Sequence, residues 1–341
     1  MRIGNNPNRD TKIDQSSSTH RIIIPVYIPN LSDYYKESFQ VFKICIASLL
    51  TTKSITSSVT IVNNGCCTEV FDYINDLFQN NKINEIIHTE NVGKVNSILK
   101  AIRTSSEPYI TITDADILFK EHWLDKTIDV FNQYPKAGVV GIIPQFKMYE
   151  YLGYNVIADN LFNSKLKFTK VKDPEGLKHF YKSIGWKDDY NKNYLRYNLS
   201  ITDNNITAII GSGHCVATYK RILFDNNIEF SKFALGGRSE NMYLDEPCVK
   251  KDFWRLTTEE NLAFHMGNST GLVEEEYVKA LKINSSNSIF KILEFNEHQF
   301  SLDKMKYFVK TKLMRRVLKT NLMKGFFFTI KGLPKEILNQ Y

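Results

Sequence analysis

The stretch Tyr109-Ile110-Thr111-Ile112-Thr113-Asp114-Ala115-Asp116 decides how the rest of the chain is read. Tyr, Ile and Thr are strand formers, and the unbroken run Tyr109 to Thr113 predicts a buried strand. It passes without a linker into two carboxylates one residue apart. At a strand end, across a tight turn, such a pair can face a divalent cation and a ribose together. Hard cations such as Mg2+ and Mn2+ take oxygen ligands and often share them with substrate phosphates. An Asp-x-Asp tripeptide also arises by chance about once in a chain of this length, so its weight rests on its place after the strand.

On either side of this stretch, apolar segments alternate between two periods. Arg21 to Tyr27 is a continuous apolar run, the mark of a strand covered on both faces. Phe39, Phe42, Ile46 and Leu49 then repeat at helical spacing. Ser58 to Val62 predicts a second strand, closed by the turn residues Asn63-Asn64-Gly65 and followed by a helix through Val70, Phe71, Ile74, Leu77 and Phe78. Ile83 to His88 is a third short strand, and Asn91-Val92-Gly93-Lys94 opens a helix carrying Val95, Ile98, Leu99 and Ile102. After Tyr109 to Thr113, a helix over 122–133 and a strand over 138–143 complete the alternation. This order predicts an α/β fold, a mainly parallel sheet with helices on both faces.

Right-handed crossovers place the loops that follow the strands along one edge, where ligands bind in such sheets. Asn63-Asn64, Asn91 to Lys94 and Asp114 to Asp116 all fall on that edge. Residues 145–205 are rich in Tyr, Asn, Lys and Asp with weak periodicity, and are expected as long loops and short helices over the sheet edge. Further strands are expected at Ile206 to Ile210, Cys215 to Thr218 and Asn261 to His265, with a helix over Asp245 to Phe253.

Composition excludes other classes. A chain of 341 residues with 43% hydrophobic and 24% charged residues lies in the globular range. Its densest apolar run, Gly325 to Ile330, falls far short of the roughly 20 residues a membrane span needs. Residues 1–19 are polar, without the apolar core of a signal peptide, and are expected to be a disordered leader. The five cysteines show no paired CxxC spacing, so reduced thiols and a cytoplasmic setting are expected, with neither a disulfide framework nor a zinc cage. The net charge of +7 belongs to the tail: residues 301–341 hold ten Lys or Arg against Asp303 and Glu336. The body therefore shows no bias toward nucleic acid.

Three further groups are candidates for chemistry. His265 ends the apolar run Leu262-Ala263-Phe264, where a histidine is either a satisfied structural residue or a metal ligand. Asp245-Glu246 precedes Pro247, so the pair is either the acidic first turn of a helix or the source of a general base. Gly93 and Lys94 open a helix that can bind an anion, with Lys94 in reach of a phosphate or base. That segment lacks the glycine spacing of a P-loop or dinucleotide fingerprint. Cys66-Cys67 reads as packing rather than a nucleophile.

Taken in order, these segments resemble the inverting glycosyltransferases of the GT-A (Rossmann-like) fold, close to family 2, over roughly 20–270. IIIPVY resembles the opening strand and nucleotide-contacting loop, SVTIVNNGCCTE the second strand that usually reads Val-Asp-Asp-Gly-Ser, and ENVGKVNSILKAI the Asn-x-Gly helix start. TITDADILFKEHWLDK resembles the Asp-x-Asp strand end, and LDEP followed by AFHMGN the acidic base motif and distal metal-binding histidine. The resemblance implies that Pro25, Val26 and Tyr27 line the nucleotide pocket with Asn63, Asn64, Asn91, Gly93 and Lys94. It further implies that Asp114 and Ala115 contact the nucleotide, that Asp116 and His265, with Asp114, hold Mn2+ or Mg2+, and that Asp245 or Glu246 supplies the base, Asp245 being preferred. The family writes this pair Glu-Asp, and its usual uracil-facing aspartate is here a neutral Asn63 or Asn64.

The implied function is metal-dependent, inverting transfer of a sugar from a nucleoside diphosphate sugar, UDP first and GDP second, to a glycan or lipid-linked acceptor in bacterial surface polysaccharide assembly. The implied domain runs over 20–272, with a nucleotide-binding half (20–145) and an acceptor-binding half (146–272), before a basic helical extension over 273–341. In that extension Met305, Val309, Leu313 and Val317 recur every four residues between Lys and Arg, ahead of Phe326-Phe327-Phe328. Such a helix either rests on an anionic membrane surface at the inner face or packs on the body. The rival readings are a catalytically silent nucleotide-sugar-binding subunit that recruits a partner through its tail, and a nucleotidyltransferase. The second lacks its Gly-rich phosphate loop after the first strand.

Overall fold

Ile22, Ile23 and Ile24 are all fully buried, yet they face two different cores. Ile22 and Ile24 join one with Phe42, Ile46, Val70 and Leu124, while Ile23 joins the other with Val62, Val95, Ile98 and Ile112. A strand sandwiched in this way needs apolar residues at every position, which is why the run is continuous rather than alternating. The computed structural model describes residues 4, 6–12, 18–224, 230–271, 304–338 and 340–341.

The first half consists of β1 (His20–Val26), α1 (Ser38–Thr52), β2 (Ser57–Asn64), α2 (Thr68–Gln79), β3 (Glu85–Thr89), α3 (Lys94–Thr104), β4 (Tyr109–Thr113), β5 (Ile117–Phe119), α4 (Trp123–Gln133) and β6 (Ala137–Gly141). The second half contributes α5 (Tyr154–Asp159), β7 (Leu166–Lys170), α6 (Pro174–Ser183), β8 (Tyr197–Asp203), β9 (Ile206–Ile210), β10 (Val216–Lys220), α7 (Glu246–Lys250), β11 (Trp254–Thr258) and β12 (Ala263–His265). One sheet runs β3-β2-β1-β4-β10-β6-β11-β9-β8-β7, and β5 and β12 form a separate pair. From the pairings, β10, β9 and β7 run against the other strands of the large sheet, which is therefore mostly parallel. Because β1, β2 and β4 are parallel neighbours, Val26, Asn63-Asn64 and Asp114 emerge along one edge.

His20 ties this parallel unit together. Its Nδ1 lies 2.7 Å from Ser57 Oγ on β2 and its Nε2 2.7 Å from Thr111 Oγ1 on β4. Burial, with a smaller push from Lys53, drives its pKa down to about 3, so the ring stays neutral and serves both hydroxyls.

The middle of the chain departs from the sequence reading. Residues 145–205 supply α6 and two strands that extend the sheet, not only loops and short helices. In β8 the apolar Leu199 and Ile201 alternate with Asn198 and Ser200, and all four are buried. The polar pair masks the strand pattern. The strand β11 was also unanticipated; it slots between β6 and β9 with Arg255 entirely inside. The helix expected over Asp245 to Phe253 is shorter, a π-helical turn at Asn241–Asp245 leading into α7.

The tail docks through its aromatics. Phe327 and Phe328 of the helix Asn321–Ile330 are buried, with Phe328 packed edge-on against Phe168, Tyr149 and Tyr341. Of the three consecutive phenylalanines, only Phe326 is exposed. Lys310 reaches back to Asp159 and Asp252 at 2.8 and 2.9 Å. Residues 272–303, the first part of the basic extension expected over 273–341, lie outside the described residues. Among the described residues, no helix is long and apolar enough to cross a membrane.

Candidate active site

The edge where β1, β2 and β4 end opens onto a cavity of about 560 Å³. Pro25, Val26 and Tyr27 form one wall with Tyr34 and Tyr35, where the rings of Tyr27 and Tyr35 meet edge to face at 6.0 Å. Asn64, Asn91, Lys94, Asp114, Ala115, Asp116 and His265 complete the part foreseen from sequence. Asn63, Gly93, Asp245 and Glu246 do not line it.

Each exception has a physical reason. Asn63 is buried one layer down, its Nδ2 3.0 Å from His88 Nδ1 and its Oδ1 accepting from Cys66 N. Gly93 allows a close crossing: its φ is +86°, and a Cβ there would stand 2.8 Å from Ala234 Cα. The same crossing changes the role of the helix start. Lys94 N donates to Ala234 O at 2.9 Å and Gly93 N to Asn91 Oδ1 at 3.1 Å, so these donors are spent within the protein rather than offered to an anion. Asn64 holds the crossing open, accepting from Val92 N at 2.9 Å and donating to Asn91 Oδ1 at 3.2 Å.

The charge in the cavity comes from side chains. Lys94 Nζ lies 2.6 Å from Asp114 Oδ1 and 3.6 Å from Glu240 Oε1. Burial works against its charge, but Asp114 and Glu240 outweigh it and hold the ammonium above its ordinary pKa. Lys94 is thus a fixed cation on the cavity wall.

Asp116 and His265 are brought together by the small sheet. The pair His265↔Ile117 and the bond Met266 N to Asp116 O at 2.9 Å set His265 Nε2 3.5 Å from Asp116 Oδ2. Ser183, at the end of α6, fixes the ring: its Oγ lies 2.9 Å from His265 Nδ1 and donates its only proton to Phe180 O at 2.7 Å. It must then accept from Nδ1–H, which leaves the Nε2 lone pair aimed at a carboxylate oxygen. Two lone pairs facing one another call for a cation between them or a second proton on the ring. Asp116 Oδ1 is also buried without a hydrogen-bond partner. Burial pushes this carboxyl above its ordinary pKa, with His265 opposing and Asp114 adding to the rise. The donor set, one carboxylate and one imidazole held by a neighbouring hydroxyl, fits Mn2+ or Mg2+. Among the described residues no three His, Cys, Asp or Glu gather as a ready-made metal cage.

The acidic pair lies outside the cavity. Asp245 has no exposed surface; its Oδ1 is 2.7 Å from Arg255 Nη2, and its Oδ2 is 3.1 Å from both Tyr151 Oη and His214 Nδ1. Burial opposes its ionisation, but Arg255 and then His214 hold it below the usual carboxylate range. Glu246 opens α7 beside Pro247 and pairs with Lys250 at 2.7 Å and Arg238 at 3.5 Å. That is the acidic first turn of a helix, one of its two sequence readings.

Comparison with known proteins decides the family: the sequence model of "Glycosyl transferase family 2" matches residues 22–192, just over half of the 341. The chain belongs to glycosyl transferase family 2. No curated protein gave a significant match. Among solved structures, the mannosyltransferase PcManGT from Pyrobaculum calidifontis, in complex with GDP-Man and Mn2+, aligns at 12% identity with a TM-score of 0.46. That alignment covers 95% of this chain and 77% of that one. The family assignment and the sheet order together make this a glycosyltransferase of the GT-A fold.

Several residues that line the cavity went unread in the sequence. Tyr34 and Tyr35 had a visible signal, an aromatic pair just after the first strand. Ser183 had none, because its role depends on α6 ending against β12. Ala234 and Leu235 reach the cavity from a segment held by Lys94 N to Ala234 O and by the 2.8 Å hydrogen bonds that Ser231 exchanges with Asn96.

Proposed function

We propose that this transferase moves a sugar, with inversion and with a divalent cation, from a nucleoside diphosphate sugar to a glycan or lipid-linked acceptor. UDP is the first donor class to try and GDP the second; bacterial surface polysaccharide assembly is the setting. The observation that carries the reading is the Asp116–His265 pair facing itself across 3.5 Å in a cavity beside Lys94. Asp116 and His265 would hold Mn2+ or Mg2+, with Asp114 within the same turn, and the donor's phosphates would complete the shell. Bound there, the cation supplies Lewis-acid stabilisation of the leaving diphosphate. Lys94 adds a second positive charge on the same side. The tyrosine wall at Tyr27, Tyr34 and Tyr35 offers ring faces to a nucleobase or ribose. Of the acidic pair from which the resemblance draws a base, Asp245 is sealed by Arg255, Tyr151 and His214, and Glu246 keeps exposed surface.

The test is a panel of UDP-, GDP- and dTDP-sugars followed by thermal shift and by release of the nucleoside diphosphate, with and without Mn2+. One nucleotide class should raise the melting temperature only when Mn2+ is present, and turnover should follow the same class. Stabilisation without any turnover would favour the silent binding subunit, and no stabilisation by any donor would remove both readings.

The tail is read as resting on an anionic membrane surface. Lys304, Lys306, Lys312, Arg315, Arg316 and Lys319 are exposed beside Met305, Phe308, Val309 and Leu313, while the packing of Phe327 and Phe328 anchors the segment to the body. Cosedimentation with phosphatidylglycerol vesicles at low salt is expected, with none on phosphatidylcholine, and Lys312→Glu with Arg316→Glu should abolish it. Equal behaviour on the two vesicle types would discard this surface.

A further inference from the structure

Asp245 cannot itself accept a proton from a substrate hydroxyl. It is shut from solvent, and its carboxylate is taken up by Arg255, Tyr151 and His214. His214 is different. Its side chain is 34% exposed, its Nδ1 faces Asp245 Oδ2 at 3.1 Å, and among the described residues its Nε2 has no protein partner. A buried carboxylate behind one ring nitrogen and an open second nitrogen is the arrangement by which a histidine is oriented, held in one tautomer and made ready to receive a proton.

The sheet places this dyad beside the donor cavity. β10 pairs with β4 through Val216↔Thr113, and Asp114 N continues the ladder to Cys215 O at 2.7 Å. His214 is the residue just before Cys215, one step beyond the last bonded pair and next to the residues that line the cavity. Arg255 braces both parts of the dyad: its Nη2 pairs with Asp245 and also donates to Ser212 O, in the loop that carries His214. The loop is clamped from the other side by Thr257 Oγ1, which donates to Gly211 O at 2.7 Å. The titratable and charged groups gathered around the dyad include Arg255 on β11, Tyr219 on β10, Tyr151 ahead of α5 and Cys248 on α7.

We infer that His214 is the base that takes the acceptor's proton, with Asp245 as its positioning residue. This rests on the transferase reading above and names the atom that reading left open. The acceptor O–H proton passes to His214 Nε2, and the oxygen's electron pair forms the new bond to the anomeric carbon. On the opposite face the bond from that carbon to the diphosphate oxygen breaks, its electron pair leaving with the nucleoside diphosphate. The imidazolium that results is balanced by the Asp245 carboxylate.

The experiment measures transfer from the donor identified by thermal shift to a panel of octyl glycosides, for wild type, His214→Asn, His214→Ala and Glu246→Gln. His214→Asn should lose about 10²- to 10⁴-fold in kcat, the usual worth of a general base, with the donor KM and the Mn2+-dependent thermal shift unchanged. Added imidazole should restore part of the rate of His214→Ala while leaving His214→Asn and Glu246→Gln unmoved. If His214→Asn keeps kcat within about threefold, or imidazole rescues nothing, the base lies elsewhere and the inference falls. A wild-type protein that binds donor yet transfers to nothing would instead bring down the transferase reading, and this inference with it.

Discussion

Asp116→Asn is expected to leave the protein folded while abolishing the Mn2+-dependent stabilisation by donor, with transfer falling by about 10³-fold or more. The two halves of this outcome have one cause. In the absence of a cation, the Asp116 charge is a burden on the fold: Oδ1 has no hydrogen-bond partner, and Oδ2 faces a lone pair of His265 at 3.5 Å. Burial therefore holds the Asp116 pKa above its ordinary value. A carboxyl with a raised folded-state pKa favours the fold at low pH and loses that contribution as pH rises through the raised value. Asparagine keeps the shape and removes the charge. The metal-free variant should thus melt at or above the wild-type temperature, by up to about 2–4 °C for a gain near 1 kcal/mol. Differential scanning calorimetry at pH 8, with and without Mn2+, reads both halves. A variant that melts well below wild type, or one that still answers to Mn2+ and donor, would take the metal away from this pair.

The largest stability effect is expected at Arg255, where Arg255→Met should cost about 3–5 kcal/mol, the usual result of leaving one half of a buried ion pair behind. Arg255 is wholly buried, pairs with Asp245 at 2.7 Å and binds the carbonyl of Ser212. Without it Asp245 remains interior with, among the described residues, Tyr151 and His214 as hydrogen-bond partners. The sign with pH can be worked out. In the wild type, Asp245 is held below its ordinary pKa, so its contribution is present above that ordinary value and disappears as pH falls through the depressed one. In the variant, burial acts without Arg255 and raises the pKa, so protonation favours the variant's fold. The stability deficit should therefore narrow between pH 8 and pH 4.5 in urea titrations. Adding Asp245→Leu to Arg255→Met should recover much of the loss. A deficit that stays constant with pH would mean that the pair is not coupled as the distances indicate.

The parallel half of the sheet was legible in the residues because its strands are buried on both faces. Ile22 to Ile24 declare themselves as a continuous apolar run, Val59 to Val62 and Ile110 to Ile112 are interrupted only by the strand-forming Thr60 and Thr111, and the helices between them carry clear apolar stripes. The strands β7 and β8 were not legible, since Asn198 and Ser200 are buried beside Leu199 and Ile201. Ser200 has its partners across the sheet, in Thr169 Oγ1 at 2.9 Å and Lys167 O at 3.2 Å. A polar residue satisfied by a neighbouring strand reads, in one dimension, as a loop.

The same division holds at the site. Asp114, Asp116 and Lys94 stand at strand and helix ends, and position along the chain was enough to point to them. His265 was ambiguous by itself; it became half of a facing pair only when β12 lay down beside β5 and Ser183 took up its Nδ1 proton. Asp245 was legible as a carboxylate in an acidic turn, but its burial is set by β11, which carries Arg255 to it from ten residues downstream. Local sequence thus determined the parallel half of the sheet, its loop edge and the residues that stand along that edge. Tertiary structure decided which of those residues meet solvent and which meet each other, because burial and hydrogen-bond partnership depend on strands far apart in the chain.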